Sequence, residues 1–173
     1  MKHLLTGALA IVLSATLSLA HASGFEGVAA PAFSLPDQHG KTRTLDEFAG
    51  RWLVLYFYPK DKTPGCTTEA KNFARDYSKF TAINTEIVGV SLDDVASHKD
   101  FADTVGATFP LLADTEKQAA KAYKVLTSFG PVDYTKRQTF VINPEGLVVK
   151  HYTDVDADEH SAQLLTDLAA LQQ

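Results

Sequence analysis

The chain has 173 residues, with 16 Lys and Arg against 21 Asp and Glu and a formal net charge of −5. That acidic balance lacks the basic footprint required by nucleic acid or an anionic membrane surface, so neither is expected as a partner. At 45% hydrophobic and 21% charged, the chain has the composition and length of a globular domain with a proper core.

The first residues have the pattern of a leader rather than of a fold. Met1-Lys2-His3 is a short basic region, Leu4 to Leu19 is apolar but broken by Gly7, Ser14 and Thr16, and Ala20-His21-Ala22 is a small-x-small cleavage signal. This is the layout of a secretory signal peptide, and it falls short of the ~20 uninterrupted apolar residues of a membrane span. Cleavage is predicted after Ala22. It leaves residues 23–173 as a single domain, periplasmic or secreted, with no membrane association.

Beyond a loose arm over 23–31, "FSLPDQHGKTRTLDEFAG" holds two short extended pieces around Pro36, Asp37 and Gly40 and predicts a hairpin. "RWLVLYFYP" is a continuous apolar run, as expected of a central strand buried on both faces and ended by Pro59. After Cys66 the apolar positions Ala70, Phe73, Ala74 and Tyr77 follow helical spacing. "EIVGVSL" predicts a buried strand, and "DDVASHKDFADTVG" a helix that starts at the aspartates and stops at Gly106. "TFPLLAD" is expected to be extended and "TEKQAAKAYKV" helical. "RQTFVINPEGLVVKHYT" predicts two strands joined at Pro144-Glu145-Gly146. From Asp158 onward, Ala162, Leu165, Leu168 and Ala169 predict a terminal amphipathic helix facing inward through those residues. The order implies an α/β protein with a mixed sheet flanked by helices. A thioredoxin-like arrangement fits, although periodicity does not single it out.

Cys66 is the only cysteine. It cannot form an internal disulfide, and an odd cysteine in an exported chain points to a reactive thiol or an intermolecular bridge. A buried, inert thiol is the alternative. In "YPKDKTPGCTTEA", Thr63 is placed to cap the following helix by accepting from the Cys66 backbone N–H, and Pro64 suits the first helical position. Gly65 weakens a helix by about 1 kcal/mol relative to alanine, so its use suggests a close approach to the backbone. A thiol in that first turn faces unpaired N–H groups and the positive end of the helix dipole, both of which favour thiolate. Nucleophilicity falls as thiol acidity rises, so fast chemistry also needs fixed charge on the leaving group.

The segment "YFYPKDKTPGCTTE" resembles the active-site segment of the peroxiredoxins, whose Pro-x-x-x-Thr-x-x-Cys pattern is met by Pro59, Thr63 and Cys66. "VSLDDVASHKDFADTVGATFPLLAD" and "AAKAYKV…KRQTFVINPEG" are similar to the peroxiredoxin Q branch, also called bacterioferritin comigratory protein. The likeness runs from about Pro31 to the C-terminus. It implies a thioredoxin-like fold and a thiol-dependent peroxidase acting on hydrogen peroxide and organic hydroperoxides, without cofactor or metal. Cys66 is then the peroxidatic nucleophile, Thr63 binds the peroxide, Pro59 shields the pocket, and Arg137 stabilises the thiolate and the departing oxygen. Glu69 orients that arginine, and Gly65 belongs to the substrate-binding turn. Without the resemblance, Arg137 is a surface charge entering a strand and Glu69 a solvated helix charge.

Many members of that branch carry a resolving cysteine five positions after the nucleophile; here that position is Lys71. The sulfenic acid formed at Cys66 therefore needs an external thiol, from a thioredoxin-like or glutaredoxin-like donor or a small thiol. The chain is expected to act as a monomer or weak dimer. A thioredoxin-like thiol–disulfide oxidoreductase and a non-enzymatic redox sensor stay open as alternatives. His98, His151 and His160 are expected to be ordinary surface or helix-face histidines, Trp52, Tyr56, Phe57 and Tyr58 core and pocket wall, and Asp93-Asp94 a helix start.

Overall fold

A computed structural model describes residues 24–173; the predicted leader, residues 1–22, lies outside the described residues. Its centre is β3 (Trp52–Phe57), the strand expected from the continuous apolar run. Successive side chains on a strand point to opposite faces, and here the alternation divides the core in two. Leu53, Leu55 and Phe57 join one cluster with Phe33, Tyr123 and Phe140. Val54, Tyr56 and Tyr58 join the other with Cys66, Phe73, Phe101 and Leu164. A strand with both faces covered has no polar side to present, hence its uniform apolarity.

Around β3 the sheet is mixed. β4 (Thr85–Ser91) lies parallel to β3 on one side, and β5 (Leu111–Ala113) lies parallel to β4 beyond it. On the other side β8 (Gln138–Ile142) is antiparallel to β3, and β9 (Val148–Tyr152) is antiparallel to β8. The N-terminal hairpin is formed by β1 (Ser34–Pro36) and β2 (Thr42–Thr44). Helix α1 (Pro64–Ala82) buries Cys66, Glu69, Ala70, Phe73 and Phe80, which lie on one stripe at helical spacing. Helix α2 (Val95–Val105) begins where expected, the Asp94 side chain accepting from the Ser97 N–H at 2.8 Å, and ends at the left-handed Gly106. Among the described residues no helix is long and apolar enough to cross a membrane.

Three expectations need correction, and one element falls where none was assigned. The stretch "TEKQAAKAYKV" yields only one short helix, α3 (Gln118–Ala122), because Lys117 and Lys124 on either side are left-handed. The buried Asp114 carboxylate sets its first turn by accepting from the Gln118 and Ala120 N–H groups at 2.7 Å each. A second hairpin, β6 (Leu126–Phe129) with β7 (Val132–Thr135), occupies a stretch with no sequence-based assignment. Helix α4 (His160–Leu171) packs through His160, Ser161, Leu164 and Leu168, while Ala162 and Ala169 face solvent. Finally, His98 and His160 are fully buried. Burial drives His160 down to about 4, so it is neutral at pH 7, with Nε2 2.8 Å from the Thr139 hydroxyl.

One glycine in β4 is dictated by packing. A Cβ on Gly89 would lie 2.7 Å from the Tyr56 ring and hydroxyl and 2.8 Å from Leu111 Cδ2, inside van der Waals contact. Gly89→Ala is therefore expected to destabilise the fold by about 1–3 kcal/mol through overpacking, read as a lowered urea midpoint with an unchanged slope. A neutral substitution would show that Tyr56 has room to move.

Candidate active site

Three elements bring the candidate residues together. Because β8 runs antiparallel to β3, its first residue, Gln138, pairs with Phe57, the last residue of β3. Arg137 immediately precedes that pair, so it enters the sheet at the end where β3 hands over to α1. The Thr135 hydroxyl pins the approach by donating to the Tyr58 carbonyl at 2.6 Å. On α1, Cys66 and Glu69 are three residues apart and share the inward face.

Arg137 bridges the two. Its Nη2 donates to Cys66 Sγ at 3.2 Å, and its Nη1 donates to Glu69 Oε2. Cys66 is only 1% exposed and Glu69 equally buried, whereas the arginine side chain retains 20% exposure. A charge on the core stripe of a helix is costly unless paired, and the guanidinium is its pair. Burial pushes the Glu69 carboxyl up to about 7, although Arg137 opposes the rise through its charge and hydrogen bond. Burial also works against the Arg137 charge, but Glu69 and Cys66 outweigh it and hold the guanidinium above its ordinary value. Glu69 Oε1 has no hydrogen-bond partner among the described residues.

Gly65 now has its physical reason. A Cβ at that position would stand 3.2 Å from Arg137 Nη2, tighter than ordinary contact, so what approaches the backbone is the guanidinium itself. Thr63 is the N-cap residue of α1 and Pro64 occupies the first turn, as expected. The hydroxyl of Thr63, however, does not accept from the Cys66 N–H; it turns back and donates to the Lys60 carbonyl at 3.0 Å. The left-handed Lys62 folds the loop so that this carbonyl is within reach. Pro59 is half-buried and lines a groove of about 460 Å³ with Leu92, Phe129, Val132 and Tyr134.

Two features were not legible in the residue pattern. Tyr56 buries a hydroxyl without a partner among the described residues, packed in the same cluster as Cys66. Asp61, in the loop joining β3 to α1, is a buried carboxylate hydrogen-bonded to His98. A sequence offers no local sign of either, since the packing around Tyr56 and the pairing of Asp61 with His98 both come from distant elements.

Residues 27–151 match the AhpC/TSA family. The chain is 39% identical over 147 residues to Peroxiredoxin Bcp of Bacillus subtilis, covering 82% of this chain and 93% of that protein. It is 39% identical over 148 residues to the chloroplastic Peroxiredoxin Q of Oryza sativa subsp. japonica, covering 84% and 67%. Among solved structures, Peroxidoxin BcpB from Mycobacterium tuberculosis superposes with a TM-score of 0.80 at 31% identity, covering 87% of this chain and 99% of that one. The Xanthomonas campestris bacterioferritin comigratory protein, described by its alkyl peroxide reduction activity, gives a TM-score of 0.77 at 36% identity, covering 82% and 92%. The chain thus belongs to the AhpC/TSA family, as a one-cysteine, thiol-dependent peroxidase of the peroxiredoxin Q and Bcp kind built on a thioredoxin-like fold.

Proposed function

We propose that Cys66 is the peroxidatic nucleophile and that Arg137 is its electrostatic partner. The observation that carries this is the 3.2 Å contact between Nη2 and Sγ, made by a guanidinium whose other arm is held by Glu69. The Cys66 thiolate attacks one oxygen of a hydroperoxide, ROOH. An S–O bond forms, the O–O bond breaks, sulfur loses two electrons, and the products are a sulfenic acid and RO⁻, which takes a proton to leave as ROH. Arg137 sits where negative charge passes from sulfur to the departing oxygen, and its planar fork of permanent donors suits both. Thr63 commits its own proton to Lys60, so its oxygen lone pairs are left to accept from the peroxide O–H. Pro59, which has no N–H, forms an apolar rim that keeps water from the thiolate, and Gly65 leaves room for the guanidinium.

The second half of the cycle uses an external thiol, since Lys71 stands where a resolving cysteine is common and Cys66 has no partner in the chain. The first thiol displaces water from the sulfenic acid and forms a mixed disulfide; a second releases Cys66 and leaves as the oxidised donor. A protein donor and a small thiol both satisfy this chemistry. A Cys66–Cys66 bridge between two chains is an off-cycle product of the same reaction, and a monomer or weak dimer suffices for turnover. The leader supports a periplasmic or secreted site of action, in a compartment where disulfide exchange is sustained.

Peroxide consumption by the mature protein with excess dithiothreitol is expected to disappear in Cys66→Ser. Arg137→Ala should lower kcat/KM for peroxide by about 10²–10³-fold, as for loss of a fixed donor to developing negative charge; retention of activity in either variant would refute the mechanism. Glu69 gives a separate signature. A carboxyl raised on folding contributes its stability below about pH 4.5 and loses it as pH rises through about 7. Glu69→Gln removes that loss, so its stability relative to the parent should rise by roughly 3 kcal/mol between pH 4 and pH 8 in urea titrations. A pH-independent difference would mean that Arg137 keeps Glu69 ionised throughout. Exported protein recovered from its host should begin at or near Ser23; a start at Met1 would remove the export proposal.

A further inference from the structure

The last residue of β7 carries a hydroxyl that its strand does not require. Thr135 is 0% exposed, and valine, of the same shape, would fill a buried strand position with no polar group to satisfy. Among the described residues the hydroxyl has one partner, the Tyr58 carbonyl, to which it donates at 2.6 Å. That carbonyl is left over by the sheet. Pairing of β8 with β3 stops at Gln138 and Phe57. One residue further on, the Tyr58 N–H turns to the Val90 carbonyl on β4 at 3.1 Å, and among the described residues no backbone N–H reaches the Tyr58 carbonyl. The Thr135 side chain thus takes the place of the next ladder bond, across 77 positions of chain.

This substitute bond lies where the candidate site is most exacting. β7 ends at Thr135 and β8 begins at Gln138, so Lys136 and Arg137 are the whole connection between them. Two residues of chain span at most ~7 Å, and the Lys136 N–H is itself tied to the Val125 carbonyl at 2.8 Å. Arg137 is therefore held from both sides. The accepting carbonyl also belongs to the Tyr58–Pro59 peptide bond, so one hydrogen bond joins the backbone that carries Arg137 to the backbone that carries Pro59. A guanidinium on a long stem meets Cys66 Sγ and Glu69 Oε2 together only when its backbone is well placed. A displacement of ~1 Å in such an arrangement can cost ~10²-fold in rate. The Val125 and Phe57 anchors survive without Thr135, so its loss should cost less than that.

We propose that Thr135 is a positioning residue for peroxide reduction, its hydroxyl holding Arg137 on Cys66, and Pro59 at the rim of the same site, through the Tyr58 carbonyl. This rests on the roles proposed above for Cys66 and Arg137, and adds to them a group that acts through the arginine.

Single-turnover oxidation by hydrogen peroxide, followed as loss of the Cys66 thiol, gives the rate constant to compare. Thr135→Val keeps the shape and removes the hydroxyl, and should lower that constant about tenfold, the effect of one lost buried hydrogen bond. Thr135→Ser keeps the hydroxyl and should return the constant to within about threefold of the parent. Should Thr135→Val not fold, Thr135→Ala, equally without a hydroxyl, carries the same expectation. In an Arg137→Ala background, Thr135→Val should slow the reaction by less than a further twofold, because the group through which it acts is gone. An unchanged rate in Thr135→Val, a Thr135→Ser protein as slow as Thr135→Val, or a further tenfold loss in the Arg137→Ala background would overturn the positioning role alone. A parent protein whose Cys66 reacts with peroxide no faster than a free thiol would instead overturn the roles of Cys66 and Arg137, and this one with them.

Discussion

A guanidinium wedged between a buried carboxylate and a buried sulfur is the constraint around which the rest is arranged. Arg137 reaches Glu69 with one arm and Cys66 with the other, so one cation serves both buried groups. Glu69 lies on the core stripe of α1 with almost no exposure, where an unpaired carboxylate would be expensive. The arginine is half-withdrawn from solvent for the same reason. A thiol at the start of the helix then finds a fixed positive charge already oriented by Glu69, which is the preorganisation that the proposed attack requires.

Several local choices follow from that wedge. Gly65 is glycine because a methyl group would crowd the guanidinium. The antiparallel register of β8 on β3 places Arg137 beside the β3–α1 junction, and Thr135 secures the approach through Tyr58. The sheet beneath is organised by plain alternation along β3, one face covered by the N-terminal hairpin and α3, the other by α1, α2 and α4. Candidate site and core thereby share a wall: Cys66 belongs to the same apolar cluster as Tyr56, Phe73 and Phe101. That burial leaves Cys66 only 1% exposed.

The division between legible and illegible follows from what is local. The leader pattern, the twofold alternation and helical stripes, the Asp94 cap, the lone cysteine and the Pro-x-x-x-Thr-x-x-Cys segment all sit within a few residues of one another, and the sequence by itself was enough to determine the α/β class, the family and the candidate nucleophile. Even local logic stopped at side-chain direction: Thr63 stands at the cap position, but its hydroxyl turns to Lys60 because the loop, shaped by Lys62, brings that carbonyl closer.

Only the tertiary structure decided the rest. His98 and His160 have nothing in their neighbours that distinguishes a surface histidine from a buried one, and the inward face of α4 shifted because its neighbours on β8, β9 and α1 select the packed residues. Arg137 meets Cys66 across 71 positions of chain and Asp61 meets His98 across 37. Such pairings are set by strand register and helix docking, which depend on the whole core at once. A buried charge is affordable only where a distant partner arrives, and no stretch of residues carries its partner's address.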